Sequence, residues 1–129
     1  MRKAFTLIEL LIVILILAVL MAVAMPLYMG AISESERRVC RANMQTIANA
    51  EQAYKVSTPP HQYTADLTVV YPNTGQRPSC PILGPTGYTV EVSTGSSTGG
   101  NGAIVPAGGI VIHCADASHG SWAPGADRD

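Results

Sequence analysis

The sequence predicts an α+β fold, in which one long N-terminal helix packs against a small antiparallel β-sheet. Three observations predict it. The chain from Leu10 to Ile32 contains no charged residue; the apolar positions that follow keep helical spacing as far as Tyr54; and two late segments, "GYTVEV" and "GGIVIHC", alternate with the period of a strand.

The apolar run comes first. At about 1.5 Å per residue it is long enough to cross the roughly 30 Å hydrocarbon layer of a bilayer, so it reads as a membrane helix. Arg2 and Lys3 precede it and favour a cytoplasmic N-terminus, which puts everything after Tyr28 outside. Arg37, Arg38 and Arg41 pull the other way, although Glu34 and Glu36 lie beside them. An ordinary secretory signal would end at the small residues Ala22, Val23 and Ala24 and start the mature chain at Met25. Against that, the run begins almost at the N-terminus, an acid, Glu9, interrupts it, and helical patterning continues past the cut. Pro26 removes one backbone hydrogen bond inside the run and Gly30 follows within a turn, so a kink is expected there.

Beyond the bilayer the helix continues as an amphipathic segment. Ile32, Val39, Cys40, Met44, Ile47, Ala48 and Tyr54 form a stripe, and Glu34, Arg37, Arg38, Arg41, Gln45, Asn49, Gln52 and Lys55 take the other faces. Glu34 with Arg38 and Glu51 with Lys55 have the favoured order for surface pairs. "STPPH" at residues 57–61 stops the helix, because a residue before proline avoids the helical region.

The remainder is poor in core formers, with 11 Gly and 8 Pro among the 73 residues from Ser57 onward. In "GYTVEV", Tyr88, Val90 and Val92 face one way; in "GGIVIHC", Ile110, Ile112 and Cys114 do. "STGSSTGGNG" between them reads as an exposed loop. A short third strand fits Ala103 to Val105, kept on an edge by Pro106, and "YTADLTVVYP" stays a connector, ambiguous between a turn of helix and a strand. This region has two basic residues, Arg77 and Arg128, against Asp66, Glu91, Asp116, Asp127 and Asp129, a net charge of −3. Nucleic acid is therefore not expected as a partner of the isolated head.

The segment "KAFTLIELLIV" resembles the class III signal of type IV pilins and of the pseudopilins of type II secretion: basic leader, Phe, Thr, Leu, Ile and Glu in that order, then a membrane-length run. The resemblance implies a pilin-like fold with a leader at 1–4, a membrane and filament-core helix half at 5–32, an amphipathic half at 33–57 and a β-rich head at 58–129. It implies that a prepilin peptidase of the inner membrane cuts between Ala4 and Phe5 and methylates the new amine of Phe5, and that Glu9 is the acid required for assembly. Pilins usually have Gly before the cut where this chain has Ala4. It further implies that the region of Pro26 and Gly30 bends in the free subunit and unwinds in the filament. The function implied is a structural subunit of an extracellular type IV pilus-like filament, made of many copies of this chain and built by a pilus assembly machinery. A pseudopilin is the alternative within the family, and a membrane-anchored monomeric binding domain the alternative outside it.

Three cysteines remain. Outside the membrane a disulfide is permitted, and Cys80 with Cys114 is the preferred pair, worth roughly 3 to 4 kcal/mol in the chain-entropy model. Cys40 lies on the helix stripe as a buried thiol, and a bridge from it to either partner would instead tie helix to sheet. His61, His113 and His119 with Cys80, Cys114 and Asp116 supply metal-ligand types, but no C-x-x-C or H-x-x-x-H spacing appears, and His113 points away from Cys114. No metal or other cofactor is expected. Asp116, Asp127 and Asp129 form no recognisable calcium loop and read as a solvated tail. Neither a phosphate-binding loop nor a nucleophile elbow is present, so no catalytic residues and no enzyme activity are expected.

Overall fold

The computed structural model describes residues 5–127. The leader at 1–4, with Ala4 of the expected cut, lies outside the described residues, as do Arg128 and Asp129. The elements run in the order helix α1 (Leu7–Ser57), helix α2 (Leu67–Val70), a 3-10 turn (Thr74–Gln76), and strands β1 (Tyr88–Val92), β2 (Ile110–Cys114) and β3 (Ser121–Trp122). The chain divides between Ser35 and Glu36 into two compact units.

The first unit is helix alone. Thr6 stands just before α1 and Glu9 is its third residue, the S/T-x-x-E arrangement in which each side chain satisfies a free amide of the first turn. Glu9 Oε2 accepts from Thr6 N at 2.9 Å and from Thr6 Oγ1 at 2.7 Å, and Glu9 N donates to Thr6 Oγ1 at 3.4 Å. Pro26 and Gly30 both fall inside α1, and the helix continues through them. Every residue from Phe5 to Ser35 is exposed. The helix is long and apolar enough to cross a membrane, and its large apolar side chains from Phe5 to Ile32 are exposed.

The second unit holds the core. From Glu36 onward α1 turns Cys40, Met44, Ile47 and Ala48 inward. These pack with Leu67, Cys80, Tyr88, Val90, Ile110, Ile112, Cys114 and Trp122 in one cluster. The sheet presents that face because of its register: Tyr88 lies opposite Cys114, Val90 opposite Ile112 and Val92 opposite Ile110, so the apolar side chains of both strands share one side. The other side of β2 is half covered too, with Val111 buried against Val105 and Ala123. His113 also faces that side and meets Glu91 across the strands at 3.4 Å.

Two local expectations are corrected and one ambiguity is resolved. The third strand is not Ala103 to Val105 but Ser121–Trp122, paired with β2 through Ile112 and His113; Ile104 makes only an isolated bridge to Thr98. The connector contains a helical turn, because the Asp66 side chain caps α2 by accepting from Thr68 N at 2.9 Å. Glu51, expected on the solvated face, is fully buried and accepts from Thr64 N at 3.3 Å, while Lys55 Nζ stands 4.2 Å from the centroid of the Tyr63 ring. Burial pushes the Glu51 carboxyl above the ordinary range.

The Gly-rich loop is also more structured than its composition suggests. Asp127 Oδ2 accepts from Gly100 N at 2.9 Å and from Ala123 N at 2.7 Å, and Oδ1 accepts from Asn101 N at 2.8 Å. Asp127 is therefore a buried clasp and not part of a solvated tail. A Cβ on Gly100 would stand 2.2 Å from the Ser121 carbonyl oxygen, so only glycine permits this approach.

Candidate functional site

Two arrangements carry chemistry. The first is the helix start. Phe5 and Glu9 are both exposed. Both bonds that Glu9 accepts end on the same oxygen, Oε2, so the carboxylate combines a local capping role with an outward-facing position. The exposed acid lies at the head of a helix half whose large apolar side chains are all bare. Such a surface must be covered by lipid or by other chains.

The second arrangement lies inside the head. Cys40 from α1, Cys80 from the turn before β1, Cys114 from the end of β2 and His119 from the β2–β3 connection converge, with one ligand atom of each lying within 4.8 Å of all the others. All four are buried, at 0, 2, 7 and 7% exposure. Cys80 and Cys114, the pair expected to form a disulfide, are free thiols with their Sγ atoms 3.7 Å apart. His119 Nδ1 stands 3.7 Å from Cys80 Sγ and 3.5 Å from Cys114 Sγ. Tyr88 donates its hydroxyl to Cys40 Sγ at 3.2 Å, and Asn43 Nδ2 lies 3.3 Å from that hydroxyl.

The local chain explains why these groups meet. After Cys80 the sequence "CPILG" closes on itself: Cys80 N donates to Gly84 O and Gly84 N to Cys80 O, each at 2.9 Å, and Gly84 takes the positive φ of 72° that the turn requires. Gly87 lies so close that a Cβ there would be 2.6 Å from Cys80 Cβ. His119 N donates to Asp116 O at 3.1 Å, while Asp116 Oδ1 accepts from Ser118 N at 2.9 Å and Ser118 Oγ at 2.5 Å; this turn brings the imidazole back over the sheet end. Asp116 thus acts in a turn.

The electrostatics differ from sulfur to sulfur. Burial raises the thiols of Cys40 and Cys114. Burial also acts to raise Cys80, but the backbone N–H groups of Leu83 and Ile82, with the other two thiols, outweigh it and bring Cys80 below the ordinary value. Tyr88 is raised, first by its burial and then by its bond to Cys40. Sequence reasoning placed Cys40 on the buried stripe and His113 on the far face, and the structure has both there; it did not bring His119 to the cysteines. The available signal was faint: a Cys-Pro followed by Gly84, and a His five residues after Cys114.

No curated protein and no solved structure matches this chain. Residues 1–25 match the prokaryotic N-terminal methylation motif, so the chain carries the class III signal of type IV pilins and pseudopilins on a long N-terminal helix with a three-stranded antiparallel head.

Proposed function

We propose that this chain is a structural subunit of an extracellular type IV pilus-like filament. It enters the inner membrane as a prepilin, is cut between Ala4 and Phe5, is methylated on the Phe5 amine, and polymerises through its apolar helix half. The observation that carries this reading is the exposed Glu9 at the head of a helix half whose large apolar side chains are all exposed, inside the matched methylation motif.

Removal of the leader uncovers a terminal amine that is positive at neutral pH. In an apolar filament core an unpaired charge is costly and a paired one much less so. Glu9 of one subunit meeting the Phe5 amine of a neighbour favours one axial stagger over the rest, which is the registry role that buried polar groups serve best. In this reading residues 5–32 form the filament core, 33–57 carry the amphipathic half and 58–129 coat the outside. Pro26 and Gly30 mark where the core helix unwinds under load. The prepilin peptidase and the assembly machinery are the processing partners.

The test is mass measurement of the mature N-terminus from producing cells, joined to electron microscopy of sheared surface material. N-methyl-Phe5 and fibres containing this chain are expected. An intact Met1 would mean a monomeric anchor, and a start at Met25 would mean ordinary secretion; either result ends the proposal.

A further inference from the structure

We propose that Cys40, Cys80, Cys114 and His119 bind one structural Zn2+ ion, a buried Cys3His site that fastens helix α1 to the sheet. The donor set is the first argument. Three thiols and an imidazole on four separate parts of the fold, all buried and with one atom each within 4.8 Å of the rest, are the ligand types and number of a closed tetrahedral zinc site.

The distances are the second argument. With Zn–S about 2.3 Å and Zn–N about 2.0 to 2.1 Å, a regular tetrahedron has S···S edges of about 3.8 Å and S···N edges of about 3.6 Å. The Cys80 to Cys114 edge is 3.7 Å, and the two edges to His119 Nδ1 are 3.7 and 3.5 Å. These three edges match the tetrahedron, and the edges to Cys40 Sγ lie within 4.8 Å.

The surroundings of the sulfurs are the third. The Tyr88 hydroxyl donates to Cys40 Sγ at 3.2 Å and has Asn43 Nδ2 3.3 Å behind it. Cys40 thus has a donor aimed at its sulfur, the outer support that metal-bound thiolates need. Binding is an acid–base exchange with no change of oxidation state. Three thiols release three protons, three thiolates and the neutral imidazole take up one Zn2+, and the site keeps a net charge of −1.

A disulfide between Cys80 and Cys114 is the competing fate of the same atoms. It would draw those sulfurs to about 2.05 Å and consume two of the four ligands, so the two outcomes exclude each other. They also differ in what Cys40 does: it is a ligand in one and a bystander in the other. The site supplies the staple that a small, glycine-rich head needs, and it ties the helix in where a Cys80–Cys114 bridge would not.

The experiment uses the full chain in detergent micelles, prepared under reducing conditions, stripped with chelator and titrated with Zn2+ or with Co2+ alone. One Zn2+ per chain by elemental analysis is expected. The Co2+ form should show the intense visible bands of tetrahedral cobalt with thiolate charge transfer. Cys40→Ser and Cys114→Ser should weaken Zn2+ binding about a hundredfold or more, His119→Cys should retain it, and His113→Ala should leave it unchanged. If a serine variant does not fold, the cobalt spectrum of the unaltered chain decides: weak octahedral bands refute the site. It is equally refuted if Cys40→Ser binds Zn2+ as well as the parent. A third contrary result is metal-free chain taken directly from cells with two hydrogens lost to a Cys80–Cys114 bridge.

Discussion

Removing the Asp127 carboxylate tests whether the Gly-rich loop is held by one side chain. In Asp127→Ala three amides lose their acceptor: Gly100, Asn101 and Ala123, which donate at 2.9, 2.8 and 2.7 Å. They do not cost the same. Ala123 is fully buried, and an amide left unsatisfied away from water costs about 1 to 3 kcal/mol. The other two bonds are only partly buried, so water replaces the lost acceptor, at about 0.5 to 1.5 kcal/mol each. The total is about 2 to 6 kcal/mol, centred near 4. In a head of this size 1 kcal/mol moves the melting temperature by roughly 4 to 8 °C, so a fall of at least about 8 °C is expected. Trp122 is the single tryptophan, is buried, and is next to Ala123; its fluorescence therefore reports on the head without interference from the micelle-bound helix. Hydrogen exchange at the three amides should accelerate together. A variant that melts within about 2 °C of the parent, with those amides still protected, would show that the loop holds itself and that the clasp is incidental.

Other expectations concern the proposed assembly acid Glu9, the buried acid and the cysteine turn. Glu9→Gln keeps an acceptor for Thr6 N and so keeps the cap, but removes the charge; circular dichroism should show unchanged helix while fibres disappear, and fibres at parental yield would remove Glu9 from the assembly mechanism. Glu51 has its native carboxyl raised by burial. Between the unfolded value near 4.5 and the higher native value the folded state alone holds the proton, so stability falls as pH rises through that window, by at most about 1.4 kcal/mol per unit. Glu51→Gln should abolish that slope in melting curves taken from pH 4.5 to 7, and an unchanged slope would assign it to another group. Gly87→Ala forces a Cβ to within 2.6 Å of Cys80 Cβ and should destabilise the head by about 1 to 3 kcal/mol in denaturant titration; a loss below about 0.5 kcal/mol would mean the turn yields freely.

Periodic features were legible because period is a property of sequence. The apolar run, the stripe through Cys40, Met44, Ile47 and Ala48, and the alternation at Tyr88 and Ile110 each repeat often enough to read, and the structure has them where the pattern put them. The third strand was not legible, since Ser121–Trp122 is two residues long and exists because β2 offers an edge. Asp127 looked like a tail acid because its partners, Gly100, Asn101 and Ala123, are backbone amides, which leave no trace in composition. Glu51 looked like a surface partner for Lys55, and only the tertiary position of Thr64 makes it an interior acceptor. The cluster at Cys40, Cys80, Cys114 and His119 escaped for a similar reason. Its members come from four places, and a search for local spacing sees only pairs that share one turn.

The bare helix half has a logistical consequence. Between Phe5 and Ile32, twenty large apolar side chains stand uncovered, and at about 1.5 kcal/mol or more for each one wetted, a lone subunit adrift in water would be tens of kcal/mol uphill. If the chain polymerises as proposed, recruitment to a fibre is a direct handover from lipid to neighbouring copies, with no aqueous waiting room. Supply of subunits is then set by how many reside in the bilayer, and a broken fibre cannot regrow from dissolved stock.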